Sequence, residues 1–153
     1  MKKVKALLGD TVYFKVIGDG NYKNEDLEIQ GIPWRKATEL EDLSEIDIGI
    51  MPLPNDEWTK GKCGLKGLQY MALEIATIMS PVGVNNQIIE DGENGFLAEN
   101  IEEWVEKINQ LVQDPTLRNK LGKNGRKTVV DHFSVEANKT LYLRYFNELI
   151  AST

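Results

Sequence analysis

The sequence has very little of the two residue types on which many catalytic and structural sites depend. It contains one cysteine and one histidine in 153 residues, which excludes an intrachain disulfide and makes a zinc site or a histidine-based catalytic centre unexpected. No apolar run approaches the roughly 20 residues of a membrane-spanning helix, and no signal-type apolar core follows Met1-Lys2-Lys3. These absences predict a cytoplasmic, soluble protein.

The sequence also lacks an excess of basic residues. Eighteen Lys and Arg against 24 Asp and Glu leave a net charge of −6, whereas a protein that binds nucleic acid needs a basic surface to neutralise phosphates. Non-specific nucleic-acid binding is therefore excluded. Hydrophobic residues (41%) and charged residues (27%) occur in the proportions of an ordinary folded domain. The length, with no repeat or linker, predicts a single domain over residues 1–153.

Strand and helix signals alternate along the chain, which is typical of an α/β fold with a mostly parallel sheet. Runs of β-branched or apolar residues predict strands over 12–17, 27–29, 46–50, 75–79 and 95–98. Apolar residues at helical spacing predict helices over 4–8, 39–44 and 65–73, with one helical turn at 87–89. Three more helices are predicted to begin at Asn100, Pro115 and Ser134.

The residues best suited to binding an anion lie between two prolines and a helix, in segment 52–66. Glycines in this segment allow a close approach to the backbone, and a helix start offers free N–H groups and a positive dipole end. The segment contains Lys60, Gly61, Lys62, Gly64 and Lys66. This arrangement predicts a phosphate or diphosphate site at the carboxyl end of the sheet. The alternative is a solvated loop whose lysines offset the acidic net charge.

Several short motifs follow one another in a fixed order. They are Asp47-Ile48-Gly49-Ile50-Met51-Pro52-Leu53-Pro54, Lys62-Cys63-Gly64-Leu65-Lys66, Ser80-Pro81-Val82-Gly83, Ile89-Glu90-Asp91-Gly92 and Asn94-Gly95-Phe96-Leu97. With this succession, nearly the whole chain resembles the C-terminal, nucleotide-sugar-binding domain of a GT-B glycosyltransferase of family 4 (glycosyl transferases group 1). The resemblance implies a Rossmann-like parallel sheet flanked by helices, which is one half of a GT-B fold, with terminal helices from about residue 115.

The resemblance also implies a reaction and a donor site. The reaction is transfer of a sugar from a nucleoside-diphosphate donor to a hydroxyl acceptor, with the anomeric configuration retained and with neither metal nor bound cofactor. Ile32 is expected near the base, Gln69 near the ribose, and Gly18 and Gly20 where the ligand approaches the backbone. The residues expected to hold the diphosphate are Lys62, Gly64, Leu65 and Lys66.

Some features of the family pattern have no counterpart in this sequence. Two glutamates that usually stand eight positions apart align with Gly61 and Gln69, and Glu74 stands where a helix usually ends on a glycine of positive φ. A glutamate in that conformation costs about 1 kcal/mol. The usual first strand, a glycine-rich loop with a basic residue, and the acceptor-binding domain are also missing. We therefore expect a truncated donor-binding half that is inactive alone.

Other interpretations remain open. The chain is alternatively a non-catalytic binding or interaction module, a remnant of a glycosyltransferase, or a subunit that a separate N-terminal-domain chain completes. A GT-B-fold epimerase is a third possibility, which Gly61-Lys62-Cys63-Gly64 disfavours. A homodimer is expected through an exposed sheet edge or an apolar last helix that contains Tyr142, Tyr145 and Phe146. For Trp34 and Trp58, packing at the sheet edge competes with stacking on a ligand.

Overall fold

The computed structural model describes residues 1–151, in which short strands and helices alternate. The helices are α1 (Lys2–Leu8), α2 (Glu39–Ser44), α3 (Glu57–Lys60), α4 (Leu65–Ala72), α5 (Asn85–Ile88), α6 (Ile101–Gln113), α7 (Pro115–Thr128) and α8 (Val135–Ala151). The strands are β1 (Ile17–Gly18), β2 (Lys23–Asn24), β3 (Ile29–Gln30), β4 (Ile32–Pro33), β5 (Ile48–Met51), β6 (Ala76–Met79) and β7 (Phe96–Leu97). This alternation confirms the α/β class. The predicted domain end at residue 153 lies outside the described residues.

A parallel sheet of β5, β6 and β7 forms the centre of the molecule. Ile48 to Met51 pair in register with Ala76 to Met79, and Ile78 pairs with Phe96. Every residue of β6 is buried, as expected for a parallel strand that is covered on both faces. The strand predicted over 75–79 is therefore confirmed.

Two hydrophobic clusters cover the two faces of this sheet, because successive side chains of a strand point in opposite directions. Ile78 joins residues of α1, α6 and α7, among which Leu111 and Leu121 are fully buried. Met79 joins Met71 of α4 together with residues of α5. The sheet is thus a layer between helices, which confirms the predicted Rossmann-like arrangement.

The three predicted helix starts are confirmed by their caps. The Asn100 side chain accepts a hydrogen bond from the Glu103 N–H at 2.9 Å. Pro115 is the first residue of α7, where a helix leaves the backbone N–H without a partner, so proline loses no hydrogen bond there. The Asp114 carboxylate accepts a hydrogen bond from the Leu117 N–H. The Ser134 hydroxyl accepts from the Ala137 N–H at 3.0 Å.

The segment that precedes the central sheet differs from its prediction. Of the strand predicted over 12–17, only Ile17–Gly18 forms, parallel to β4. Of the strand predicted over 27–29, Leu27 ends a 3₁₀ turn, Glu28 is left-handed, and only Ile29 belongs to a strand, β3, which pairs with β2. A strand is defined by its ladder, and within residues 1–151 β1 and β5 share none.

The end of α4 adopts the strained conformation predicted for Glu74. Its φ is 61°, and its N–H donates to the Met71 carbonyl at 3.1 Å. Gly122 of α7 packs against it so closely that a Cβ at Gly122 would lie 1.9 Å from the Glu74 carbonyl oxygen. The Arg126 guanidinium donates to the Ala72 carbonyl and lies 3.7 Å from the Glu74 carboxylate. Close packing of α7 therefore holds this turn.

The last helix, α8, is exposed along its length. Tyr142, Phe146 and Ile150 are 61%, 60% and 73% exposed, which confirms the prediction of an uncovered apolar surface. Despite this apolar character, none of the helices in residues 1–151 is long and apolar enough to cross a membrane.

Candidate functional site

The start of α4 offers backbone donors that no side chain caps. Gly64, the residue before the helix, has φ 71°, and its carbonyl oxygen accepts a hydrogen bond from the Leu68 N–H. The backbone angle favours glycine, and a Cβ at this position would also lie 2.4 Å from Ile88 Cδ1, so that side chain would have to shift. The first N–H groups of a helix have no partner within it. The beginning of α4 therefore suits an anion.

The loop before α4 places two lysines differently. The Lys60 ammonium lies 2.7 Å from the Glu57 carboxylate and is thus paired. The Lys62 ammonium lies 5.6 Å from the centre of the Trp58 ring, in a cation–π contact. Trp58 is 78% exposed, so its predicted packing role is wrong. Lys62 is left with its charge unpaired by any carboxylate in the described part of the chain.

Asp56 supplies the opposite charge in the same loop. Its carboxylate accepts the Thr59 N–H at 2.8 Å and caps α3. That backbone hydrogen bond, with smaller contributions from the Thr59 hydroxyl and the Lys62 charge, holds the Asp56 pKa below its usual value. The loop therefore carries both signs of charge, and two exposed lysines stand on either side of Gly64 in the sequence, Lys62 in the loop and Lys66 in the first turn of α4.

Three further predicted residues lie together near the ends of β1 and β4: Gly18 and Gly20, predicted to bind the donor and its diphosphate, and Ile32, predicted near the base. Gly18 ends β1 with φ 140°, and its carbonyl accepts the Trp34 N–H at 3.4 Å. Ile32 of β4 donates its N–H to the Val16 carbonyl at 2.8 Å. A Cβ at Gly20 would lie 3.0 Å from Pro33. The structure thus brings Gly18, Gly20 and Ile32 together as one group.

A hydrogen-bonded chain joins this group to α4. Glu39 Oε1 accepts from the indole N–H of Trp34 at 2.9 Å and from Gln69 Nε2 at 3.0 Å. The Trp34 bond is the main cause that lowers the Glu39 pKa, and Gln69 and the charge of Lys66 add to it. Gln69 Oε1 is buried and accepts no hydrogen bond within residues 1–151.

Sequence reasoning missed Glu39, which the pattern identified only as part of a helix. Its partner Gln69 is 30 positions away, so no local spacing signals the contact. Trp34 donates to Glu39 and is half exposed, which places it beside the predicted nucleoside residues. The structure therefore adds Glu39 to the predicted residues and joins it to Trp34, which the sequence offered as a stacking candidate.

His132 lies apart from this site, whereas Cys63 stands between Lys62 and Gly64 within it. His132 borders an open polar hollow of about 330 Å³ near the end of α7, which shares no residue with the predicted donor site. Cys63 is exposed. In the part of the chain that the structure describes, no group of three His, Cys, Asp or Glu side chains is placed to hold a metal ion.

The fold is shared with solved glycosyltransferase structures. A sucrose-phosphate synthase from Thermosynechococcus elongatus superimposes with a TM-score of 0.78 at 19% identity, over 99% of this chain and 42% of that one. The HepE protein of Anabaena, solved in complex with UDP, superimposes with a TM-score of 0.69 at 16% identity, over 99% and 44%. These similarities confirm the predicted GT-B-type fold.

Sequence comparison identifies the family. The capsular polysaccharide biosynthesis glycosyltransferase CapM of Staphylococcus aureus is 36% identical over 73 residues, which are 46% of this chain and 19% of CapM. Matches to curated relatives span only 13% to 41% of the length of each relative. The profile of the glycosyl transferases group 1 family matches residues 1–128. Since this match includes the whole central sheet and the start of α4, the chain belongs to the glycosyl transferases group 1 family.

Proposed function

We propose that residues 1–153 form the donor-binding domain of a retaining glycosyltransferase and bind a nucleoside-diphosphate sugar as substrate. The single observation that carries this proposal is the uncapped start of α4 at Gly64, with Lys62 and Lys66 beside it. A helix N-terminus with nearby cations is suited to a diphosphate. The UDP complex of HepE, which has the same fold, supports a nucleotide ligand.

The nucleoside part is proposed to lie between β4 and α4. Ile32 would contact the base, Gln69 would lie near the ribose, and Gly18 and Gly20 would allow close approach. Leu65, through its backbone N–H at the start of α4, would share the diphosphate with the two lysines. The link from Trp34 through Glu39 to Gln69 supports this arrangement, because it holds the two groups of residues in one place.

A titration tests the donor site directly. We expect uridine or guanosine diphosphate to shift the backbone amide resonances of Gly64 and Leu65, with a dissociation constant in the high micromolar range or above. Lys62→Ala and Lys66→Ala should each weaken binding, and so should high salt, because salt screens exposed charges. Lys123→Ala, on the exposed surface of α7, is the matched control. Unmoved amides around Gly64 with both nucleotides would refute the proposal.

We further propose that the purified chain transfers no sugar by itself. Orienting donor and acceptor against each other supplies much of the rate advantage of an enzyme, and the residues proposed here address the donor only. Retention of configuration, metal independence and a cytoplasmic location belong to the same proposal. Donor-dependent glycosylation of an acceptor by the isolated chain, abolished by Lys62→Ala, would contradict the inactivity.

A second candidate function, as an interaction module, is favoured by the exposed surface. The accessible surface is 10055 Å², whereas a compact monomer of 17.3 kDa is expected to expose about 7,800 Å². The difference between the observed and the expected surface area is larger than the roughly 800 Å² that each partner buries in a standard interface. The partner is proposed to be a second copy or a separate N-terminal-domain chain, bound through α8 or an open sheet edge.

Sedimentation equilibrium at micromolar concentration tests self-association. We expect a species heavier than 17.3 kDa and its conversion to monomer by Phe146→Asp, which places a charge on the apolar surface of α8. Asn147→Asp, at the next exposed position, adds the same charge beside that surface and is the control. A clean monomer of the unsubstituted chain would exclude the homodimer and leave the second chain as partner.

A further inference from the structure

Glu39 presents a fixed carboxylate with one oxygen unused. Oε1 accepts from both Trp34 and Gln69, while no hydrogen bond reaches Oε2 from any residue within 1–151. An ionised carboxylate only accepts hydrogen bonds, so the Gln69 amide must turn its N–H₂ group toward it. Two N–H donors from different segments thus hold the carboxylate in one orientation.

The position of Glu39 matches the geometry of a nucleoside diphosphate. Gln69 lies four residues after Leu65, which is about 6 Å along the helix axis. The ribose of a nucleotide lies one such step from its phosphates. Trp34, the other donor to Glu39, follows Ile32 by two residues and bonds to the Gly18 carbonyl. The carboxylate therefore lies between the proposed diphosphate end and the proposed base end.

We propose that Glu39 is a specificity-determining residue, whose carboxylate accepts hydrogen bonds from the ribose hydroxyls of the bound nucleotide. This inference rests on the proposed function of the same site. A hydroxyl bound to a charged acceptor forms a stronger hydrogen bond than one bound to a neutral amide. The charge comes from α2 and not from α4, where Gln69 is neutral and serves to orient Glu39.

A carboxylate that binds the ribose and a carboxylate that only repels the phosphates predict opposite effects of neutralising Glu39. Glu39 is an anion near a dianionic or trianionic ligand, so its neutralisation should strengthen the binding of any nucleoside diphosphate if it only repels the phosphates. If Glu39 binds the ribose, its neutralisation weakens the binding of the ribonucleotide and leaves the binding of the deoxyribonucleotide unchanged. The lowered Glu39 pKa, caused first by the Trp34 hydrogen bond, keeps the carboxylate ionised at neutral pH.

The experiment measures the affinities of UDP and 2′-deoxy-UDP by calorimetry for the unsubstituted chain, Glu39→Gln and Glu41→Gln. Glu41 is an exposed acid on the same helix and is the matched control. We expect Glu39→Gln to lower the affinity ratio of UDP to 2′-deoxy-UDP by about tenfold, the size of one charge-assisted hydrogen bond. The ratio for Glu41→Gln should equal that of the unsubstituted chain.

Nuclear magnetic resonance of the unsubstituted chain provides a second measurement that does not depend on the folding of a variant. UDP should shift the Trp34 indole N–H and Gln69 side-chain amide signals, and 2′-deoxy-UDP should shift them less. Equal shifts, or an unchanged affinity ratio in a folded Glu39→Gln chain that binds UDP, would overturn the role of Glu39. Absence of binding by UDP and GDP would instead overturn the proposed function itself, and the ribose contact with it.

Discussion

Two regions of this molecule have similar strand-forming sequences and different structures. The run 12–17 is β-branched and aromatic, yet only its last residue enters β1, and Tyr13 is 91% exposed. The run 75–79 is of similar length, yet it forms strand β6, in which all four residues are buried. The difference lies in the neighbouring strands, because within residues 1–151 β6 pairs with both β5 and β7, whereas β1 pairs with β4 alone. Ladder partners, more than residue preference, decide how much strand forms.

The largest loss of stability is expected for a substitution in the core beside β6. Leu121→Ala removes a fully buried side chain beside β6 and should lower the free energy of unfolding by about 2–5 kcal/mol. Tyr13→Ala, in the other run, should change it by less than about 0.5 kcal/mol. Urea denaturation followed by circular dichroism measures both. A cost at Tyr13 that approaches the cost at Leu121 would contradict the contrast between the two regions.

The next effect concerns the contact of α7 with the turn before β6. Gly122→Ala would place a Cβ 1.9 Å from the Glu74 carbonyl oxygen and should destabilise the fold by about 2–3 kcal/mol. The control is Gly61→Ala, where φ is −80° and the nearest atom lies 3.5 Å away. That variant should leave the midpoint of urea denaturation almost unchanged, whereas a tolerated Gly122→Ala would mean that α7 moves aside easily.

A smaller effect comes from two glutamates of left-handed backbone conformation, one directly before the run 75–79 and one in the segment that follows the run 12–17. Glu74 has φ 61° and Glu28 has φ 54°. Glu74→Gly should be about 1 kcal/mol more stable than Glu74→Ala, because only glycine relieves the backbone strain after the side chain is lost. We expect a smaller Gly–Ala difference at Glu28, since the two-residue strands around it open locally. Thermal unfolding of the four variants checks both differences.

The smallest effect is a titration in the loop between the regions. The Asp56 pKa is lowered mainly by the Thr59 N–H, so this cap stabilises the fold above the ordinary aspartate pKa and is lost as pH falls through the lowered value. The Thr59 amide resonance should therefore move with a midpoint below the usual range of aspartate. Asp56→Asn keeps the acceptor and removes the titration. A midpoint at or above the ordinary value would show that the cap does not form in solution.

For the candidate site, the sequence predicted individual residues, and the fold determined which of them are in contact. Gly64 was predicted from a glycine-lysine loop before a helix, and its φ of 71° makes it the helix start. Gln69 was predicted near the ribose from the family resemblance. The carboxylate that touches it, Glu39, was not predicted, because the two residues are 30 positions apart in the chain. A contact of that kind leaves no periodic signal in either segment.

The sequence by itself determined the α/β class, the buried strand at 75–79 and the capped starts of three helices. Each of these follows from residues within a few positions of one another, as hydrophobic period or capping side chain, whereas the left-handed Glu74 was expected from the family resemblance. The tertiary structure alone decided the length of β1 and the hydrogen bond between Gln69 and Glu39, which are 30 positions apart. Both features depend on which backbones and side chains meet in space, because a ladder or a hydrogen bond needs a partner that local sequence does not specify.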